Sequence, residues 1–278
     1  MAKEILVCLE GSGSGASAQA YAIALAKEQP AALTGMVIVD EPDIRAGTPT
    51  SIGGTAYKQE RDETLLADAK ARAATWLAAF QTRCRQAGIT ARTLEIVGRP
   101  APAILEELRR HDLVVVGRDA NFRFETEAED HDTRDALLHD AGRPVLLVPE
   151  AGPSLGGVVL IAFDGSAAAK RALARFIESG LGRGRDIRVA TVDDDGARAW
   201  EMANGAASEL VTAGLSATPM SVVSPHSNAD ALLETAEKCG ASLLVLGAFA
   251  RSRLAELFGR SVTRALLERS PIPLFLQH

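Results

Sequence analysis

The stretch KEILVCLEGS, residues Lys3–Ser12, recurs in the second half of the chain as GVVLIAFDGS, residues Gly157–Ser166. In both places a run of apolar residues leads into an acidic residue, a glycine and a serine. The run is apolar throughout and does not alternate with polar residues, which is typical of a β-strand that is covered on both faces. Each half of the chain is therefore predicted to begin with a buried strand.

Two further stretches repeat in the same order. HDLVVVGRDA at residues 111–120 is similar to ASLLVLGAFA at residues 241–250, and RPVLLVP at 143–149 is similar to IPLFLQH at 272–278. Such an internal repeat indicates two copies of one folding unit. We predict one domain at residues 1–150 and a second at residues 156–278. The first copy is longer because it contains EPDIRAGTPTSIGGTAYK at residues 41–58, whose glycines, prolines and threonines predict a loop.

Short apolar runs alternate with helical patterns along each copy. The stretch SAQAYAIALAKEQ at residues 17–29, for example, has apolar residues at the spacing of a helix. Alternating strands and helices predict a parallel sheet with helices on both faces, whose ligands bind beyond the carboxyl ends of the strands where strand order reverses. Trp76 and Trp200 each fall in the second long helix of a copy and are predicted to be packing residues.

Composition and charge exclude several classes of function. The 278 residues carry a net charge of -6, which argues against nucleic acid or an anionic membrane as a partner. The charged start, MAKEILVCLE, has no signal-peptide pattern, and the apolar runs are too short to span a bilayer. The three cysteines are isolated and the five histidines follow no metal-ligand spacing. We therefore expect a cytoplasmic protein with reduced thiols and no metal site.

The repeated motifs together resemble those of the universal stress protein family in its tandem form. The resemblance rests on CLEGS and AFDGS, on VIVD and ATVD, on VVVG and LVLG, and on the closing AGRPVLLVP and SPIPLFLQH. It implies two five-stranded parallel α/β domains of the adenine nucleotide α-hydrolase type. It also implies that these domains pair through the last strand of each as an intramolecular pseudo-dimer, and it leaves room for a homodimer of tandem chains.

Nucleotide-binding members of this family have a glycine, two residues, a second glycine, nine residues, and then a glycine followed by serine or threonine. Glycines let the backbone approach the phosphates, and the N-terminus of the following helix offers free N–H groups. Counted from Gly247, the second glycine position holds Ala250 and the third holds Arg260, with Ser261 after it. Gly259 stands one position early.

Charge favours phosphate at this second-copy loop. Arg251, Arg253, Arg260 and Arg264 face only Glu256 as a nearby opposite charge. The family pattern further assigns the acid after the first strand to the ribose and a backbone group near the end of the second strand to adenine. We therefore predict a site for ATP or ADP, with or without magnesium, at Asp164, Gly165, Thr191, Gly247, Ala250, Arg251, Gly259, Arg260, Ser261 and Val262. The alternative is a solvated basic helix entry that binds nothing.

The first copy gives the opposite signal. After Gly117 the second and third glycine positions hold Ala120 and Asp130, and Glu10 replaces the shorter aspartate. The intervening segment is rich in carboxylates, which would repel a triphosphate; they are Glu125, Glu127, Glu129, Asp130 and Asp132. We predict that this copy does not bind nucleotide and that its acidic loop is solvated or meets a partner.

Three functions from different classes follow. The first is a non-enzymatic stress-response regulator that binds ATP or ADP in its second domain. The second is a nucleotide-free scaffold that acts through its surfaces, and the third is a slow ATP hydrolase. No side chain beside Gly247 supplies an evident base or nucleophile, so we expect no catalytic residues and rank the enzyme last.

Overall fold

The computed structural model describes residues 2–46, 55–120, 122, 131–151, 154–248 and 255–278, with backbone alone at 131–132 and 255–261. Its first half contains, in chain order, β1 (Glu4–Cys8), α1 (Gly13–Glu28), β2 (Ala32–Val39), α2 (Glu41–Ala46), α3 (Thr55–Gln86), β3 (Ala91–Val97), α4 (Pro100–Leu108), β4 (Leu113–Gly117), α5 (His131–Asp140) and β5 (Val145–Val148).

The second half repeats this order without a counterpart of α2. It contains β6 (Val158–Ala162), α6 (Ala167–Ser179), β7 (Ile187–Val192), α7 (Gly196–Thr212), β8 (Ala217–Val222), α8 (Asn228–Lys238), β9 (Ala241–Gly247), α9 (Ala255–Arg269) and β10 (Leu274–Gln277). The alternation of strands and helices predicted from the sequence is confirmed in both halves.

All ten strands form one sheet in the order β3-β2-β1-β4-β5-β10-β9-β6-β7-β8. Within each half every neighbouring pair is parallel. The chain adds two strands on one side of β1 before it adds β4 and β5 on the other, and it does the same around β6. Strand order thus reverses between β1 and β4 and again between β6 and β9, and these are the places where such sheets bind ligands.

The two halves join through their last strands. β5 and β10 run antiparallel, with Leu146 opposite Phe275. Both strands are buried along their whole length, so each would otherwise present an apolar, unpaired edge. This pairing confirms the predicted intramolecular pseudo-dimer, and it directs the carboxyl ends of β4 and β9 to opposite edges of the sheet.

Helices cover both faces of the sheet and enclose a core on each. On one face α1, α3, α6 and α7 cover a cluster that includes Phe80, Phe176 and Phe275. On the other face α4, α5, α8 and α9 cover a cluster that includes Met36 and Leu137. Burial on both faces explains why the strands are apolar throughout.

The insertion of the first copy is more helical than predicted. Glu41–Ala46 forms α2, and α3 begins at Thr55, so both ends of the segment predicted as a loop are helical. Residues 47–54, at its centre, lie outside the described residues. The loop prediction is therefore wrong at residues 41–46 and 55–58. At residues 41–46, acids in the first turn of α2 stabilise its N-terminus.

We predict that replacing Phe275 by alanine lowers the free energy of unfolding by about 3–5 kcal/mol. The side chain is fully buried and packs edge-to-face on Phe176, with ring centroids 5.8 Å apart. Urea denaturation followed by circular dichroism measures the loss. Tyr57→Ala is the control because that ring is 77% exposed. Equal midpoints for the two variants would contradict the prediction.

Candidate functional site

Three predicted site residues meet where the strand order of the second half reverses. Asp164 follows β6 by two residues, Thr191 is the next-to-last residue of β7, and Gly247 ends β9. Because β6 lies between β7 and β9, these positions share one edge of the sheet. We call this group, together with Gly165, the Asp164 site.

The Asp164 carboxylate is exposed and lies at the N-terminus of α6. Its Oδ1 accepts a hydrogen bond from the backbone N–H of Ser166 at 2.9 Å. Gly165 has a φ of 73°, a left-handed conformation that glycine adopts without strain. Ser166 then caps α6 by accepting from the N–H of Ala169 at 3.1 Å. This turn leaves an anionic oxygen directed to solvent, where it can accept hydrogen bonds from a ligand's hydroxyl groups.

Thr191 is buried and its hydroxyl is already used. The Oγ1 donates to the carbonyl of Phe163 at 2.7 Å, which ties the end of β7 to the residue before Asp164. The side chain therefore positions the strand ends. A contact between Thr191 and a ligand would have to be made by its backbone or its methyl group.

Gly247 is required by packing as well as by any ligand. A Cβ atom at this position would lie 2.4 Å from the carbonyl carbon of Ala168 and 2.5 Å from the nitrogen of Ala169. Gly117 stands in the same relation to α1, since its Cβ would lie 2.6 Å from the nitrogen of Gly15. In both copies, the strand that leads into the loop thus touches the N-terminus of the first helix.

The rest of the predicted phosphate loop is only partly visible. Ala250 and Arg251 lie outside the described residues, as does Arg253. The backbone of Gly259, Arg260 and Ser261 lies inside α9, because that helix begins at Ala255. The family pattern would place its glycine and serine at a helix N-terminus, so in this chain the helix starts earlier than the pattern implies.

Two further residues of this helix are described with their side chains. Val262 is half-buried and packs against the core beneath the helix. The guanidinium of Arg264 pairs with Glu268 at 3.0 Å on the exposed face. The prediction that these arginines face only Glu256 is therefore wrong for Arg264, and the cationic character predicted for the loop depends on the other three arginines.

The equivalent site of the first copy is closed by its own side chains. Glu10 is buried, and its two carboxylate oxygens accept from the backbone N–H of Ser12 at 2.7 Å and from the Ser12 hydroxyl at 2.6 Å. The carboxylate lies against the first turn of α1, since a Cβ on Gly15 would come within 1.9 Å of it. The place where Asp164 is open in the second copy is thus filled in the first.

Trp76 closes the same site from the α3 side. A Cβ on Gly11 would lie 2.9 Å from the indole ring, whereas the corresponding Gly165 faces Met202 with its sulfur at 3.2 Å. Trp76 therefore corresponds to Met202 and not to Trp200, which is 49% exposed. The prediction of Trp200 as a packing residue is wrong, because the insertion shifts the correspondence between the two copies.

The closed position of Glu10 perturbs the pKa of its carboxyl group. Burial raises the pKa of Glu10, and the nearby charge of Asp119 raises it further, against the hydrogen bonds from Ser12 that lower it.

In the second copy, acids that follow β7 have hydrogen-bond partners in α7. Arg198 donates to Asp193 at 2.5 Å and lowers its pKa, while Asp195 caps the helix. No group of three or more His, Cys, Asp or Glu side chains is placed to hold a metal ion within the described residues.

The acidic segment predicted for the first-copy loop falls largely outside the described residues. This holds for Glu125, Glu127, Glu129 and Asp130, whereas Asp132 belongs to the first turn of α5. Ala120 follows Gly117 in a turn and lies against the core on the α5 side of the sheet. What closes the first-copy site in the described residues is therefore Glu10 and Trp76, which sequence reasoning did not single out for this role.

The fold and the site define a tandem α/β protein in which the acid after the first strand is exposed in one copy and buried in the other. The family model of the universal stress protein family matches residues 1–149 and 157–277, and the chain belongs to this family. No curated protein sequence matched it. None of the helices in the described ranges is both long enough and apolar enough to cross a bilayer.

Solved structures show the same architecture over the whole chain. A universal stress protein from Archaeoglobus fulgidus DSM 4304 is 18% identical, with a TM-score of 0.72, and the match covers 98% of this chain and 95% of that one. A putative universal stress protein from Pseudomonas aeruginosa UCBPP-PA14 is 18% identical, with a TM-score of 0.61, covering 99% of this chain and 92% of that one. These similarities show the tandem fold.

We expect Gly247→Ala to lower the free energy of unfolding by about 1–3 kcal/mol, because the new methyl group must displace the backbone of α6. Gly205→Ala is the matched control. It lies on the exposed face of α7 with open space around its Cβ position, so it should stabilise the protein by about 0.5–1 kcal/mol. Thermal unfolding of both variants gives the comparison, and two changes of the same sign would refute this account of Gly247.

Glu10→Gln should stabilise the protein at neutral pH and have little effect in acid. A carboxylate whose pKa is raised by folding contributes most to stability below its unfolded pKa, and this contribution is lost as pH rises through the folded value. Glutamine can accept from the Ser12 N–H and donate to the Ser12 hydroxyl without a buried charge. The free energy of unfolding should be measured from pH 4 to pH 8, with Asp164→Asn as the exposed control. A gain that is independent of pH would contradict the assignment.

Proposed function

We propose that this protein is a cytoplasmic, non-enzymatic stress-response regulator that binds ATP or ADP at the Asp164 site and at the loop after Gly247. The observation that carries the proposal is the contrast between the two copies. The acid that follows the first strand is exposed at Asp164 and buried at Glu10, where it also accepts from a serine hydroxyl. Of the two acids that follow the first strand of each copy, Asp164 is the one available to a ligand's ribose.

The geometry around Asp164 suits a nucleoside better than a bare anion. The exposed carboxylate is an acceptor for paired hydroxyl groups, and Met202 lies beside the glycine turn that follows it. Phosphates would then extend toward Gly247, whose following segment contains Arg251, Arg253 and Arg260. Cationic side chains at the start of a helix are a common way to hold polyphosphate.

A regulatory role without catalysis is supported by the inert character of the other reactive groups. Burial raises the pKa of Cys84 to about 11, and burial also raises the pKa of Cys8, so both thiols stay protonated at neutral pH. All three cysteines are free and fall within the described residues, in keeping with a reducing compartment. Hydrolysis of ATP at a slow rate is the enzymatic alternative, and the nucleotide-free scaffold is the other.

We expect Asp164→Asn to weaken ATP binding about 10- to 100-fold, the effect of losing a charge-assisted hydrogen bond of about 1.5–3 kcal/mol. Isothermal titration calorimetry of the full chain with ATP, ADP and AMP, with and without magnesium, measures it. Asp194→Asn is the matched control, since that exposed acid follows the neighbouring strand β7.

The outcomes separate the three functions. Absence of binding by the unmodified protein would leave the scaffold, and loss of binding in Glu10→Gln would move the site to the first copy. Phosphate release that persists through repurification and stops in Gly247→Ala would make the protein an ATP hydrolase.

A further inference from the structure

The long helix α3 has an outward side that is exposed to solvent along its length. The opposite side packs on β2 and β3 and carries buried residues such as Ala69, Ala73 and Phe80. The middle of the exposed side is formed by Glu60, Thr64, Ala67, Ala71, Ala74, Ala78, Gln81 and Arg85. We call these eight exposed residues the α3 face.

The spacing of the α3 face is typical of a helix that packs on another helix. Its residues follow one another at alternating intervals of four and three, which keeps them on one side of the helix. The ridge from Glu60 to Arg85 is about 37 Å long, at the rise of an α-helix. Its four central residues are alanines, and side chains of this size let two helix axes approach to about 8 Å.

Alanines alone would fit many helices, so the partner has to be identified from the order of all the residues in the α3 face. That order is complementary to itself when a second copy of the face runs antiparallel to the first. The pairs that result, each with its second member in the partner subunit, are Ala71–Ala74, Ala67–Ala78, Thr64–Gln81 and Glu60–Arg85. A single twofold axis generates each pair twice, as in an isologous dimer.

The charges at the two ends of the α3 face have opposite signs and match in this register. Glu60 has no ionic partner within the described residues, and neither has Arg85, whose guanidinium donates to the Thr82 hydroxyl at 3.2 Å. An antiparallel second copy brings the carboxylate of each helix to the guanidinium of the other. A parallel copy in register would instead bring like charges together, so charge favours the antiparallel arrangement.

The next pair inward is matched in its hydrogen-bonding groups. The Thr64 hydroxyl donates to the carbonyl of Glu60 at 2.9 Å, and its oxygen is therefore an acceptor toward other groups. Nε2 of Gln81 donates to the Thr93 hydroxyl at 2.9 Å. An amide nitrogen carries two hydrogens, so the second can be donated to Thr64 of the partner subunit.

The second copy of the fold lacks this face. Because Trp76 corresponds to Met202, α7 begins at the position of Lys70. The first three residues of the α3 face therefore lie in turns that α7 does not have. Where α3 has Ala74, α7 has Trp200, which is too large for the same close approach. The longer helix of the first copy thus supplies a surface that the shared fold does not require.

We propose that the α3 face docks a second copy of this chain, so that two α3 helices pack antiparallel about a twofold axis. The N-terminal half of each helix then lies on the C-terminal half of its partner. The contact is confined to one helix of each chain, and we expect a dimer with a Kd of about 10 μM. None of the residues of the Asp164 site belongs to the α3 face, so the proposal does not depend on the proposed function.

Sedimentation velocity of the full chain, from about 1 to 200 μM, tests whether the dimer exists. We expect the mass to rise from that of one chain, 29.3 kDa, toward twice that value as the concentration increases. A monomer at every concentration would overturn the proposal and leave the face to a helix of another protein. Failure of ATP to bind the protein, by contrast, concerns the proposed function alone.

Ala71→Glu tests whether the dimer uses this face. It places a carboxylate at the centre of the helix pair, close to its own symmetry mate, and should raise the dissociation constant about 100-fold or more. Ala197→Glu is the matched control, since Ala197 is exposed at the corresponding position of α7. Both variants should keep the circular dichroism of the unmodified chain. Dimerisation that survives Ala71→Glu would show that another surface is used and would overturn the proposal.

A charge exchange tests the register. Glu60→Arg and Arg85→Glu should each weaken the dimer about tenfold, because each turns two symmetry-related ion pairs into like-charge contacts. The double variant Glu60→Arg/Arg85→Glu should return the dissociation constant to within about threefold of the original, since it restores both pairs. A double variant that dimerises no better than the single variants would rule out the antiparallel register and the proposal with it.

Discussion

The antiparallel pairing of β5 with β10 is the constraint on which the rest of the structure depends. Each half alone would present a fully buried, apolar strand at the edge of its sheet. Pairing these strands satisfies their backbone hydrogen bonds and turns two five-stranded sheets into one of ten strands. The strands that remain at the edges, β3 and β8, alternate between half-buried and exposed residues, as edge strands do when they face water.

The pairing also places the equivalent carboxyl-terminal strand ends of the two halves at opposite edges of one sheet. Each edge is therefore free to diverge without disturbing the other. Both copies require a glycine at the end of this strand, because Gly117 and Gly247 each touch the N-terminus of a helix. The side chains diverged: Glu10 is buried in one copy and Asp164 is exposed in the other, and the glycines that follow them face Trp76 and Met202.

Most of the fold could be predicted from the sequence because each copy independently contains the same pattern of strands and helices. Strands that are apolar throughout, with an acid, glycine and serine after the first, predict buried parallel strands leading into capped helices. The ends of the insertion could not be predicted from composition, since the acids of α2 and the long amphipathic continuation of α3 outweigh the glycines, prolines and threonines nearby. Local composition predicts a loop only where no neighbouring helix extends into the segment.

The site was harder to predict, because its geometry depends on one additional methylene group in Glu10 and on the insertion in the first copy. The carboxylate of Glu10 accepts from the hydroxyl of Ser12 as well as from its N–H, whereas Asp164 accepts from the N–H of Ser166, and this difference cannot be inferred from the similarity of CLEGS and AFDGS. The insertion changes the offset between the copies, so the tryptophans appear equivalent in sequence while Trp76 actually corresponds to Met202. Likewise, Gln277 looks like a polar strand end, and only the register opposite Gly247 shows that it occupies a buried position filled by valine in the other copy. Tandem duplication thus supplies an internal reference: where equivalent positions of the two copies differ in polarity, the shared fold alone does not explain the difference.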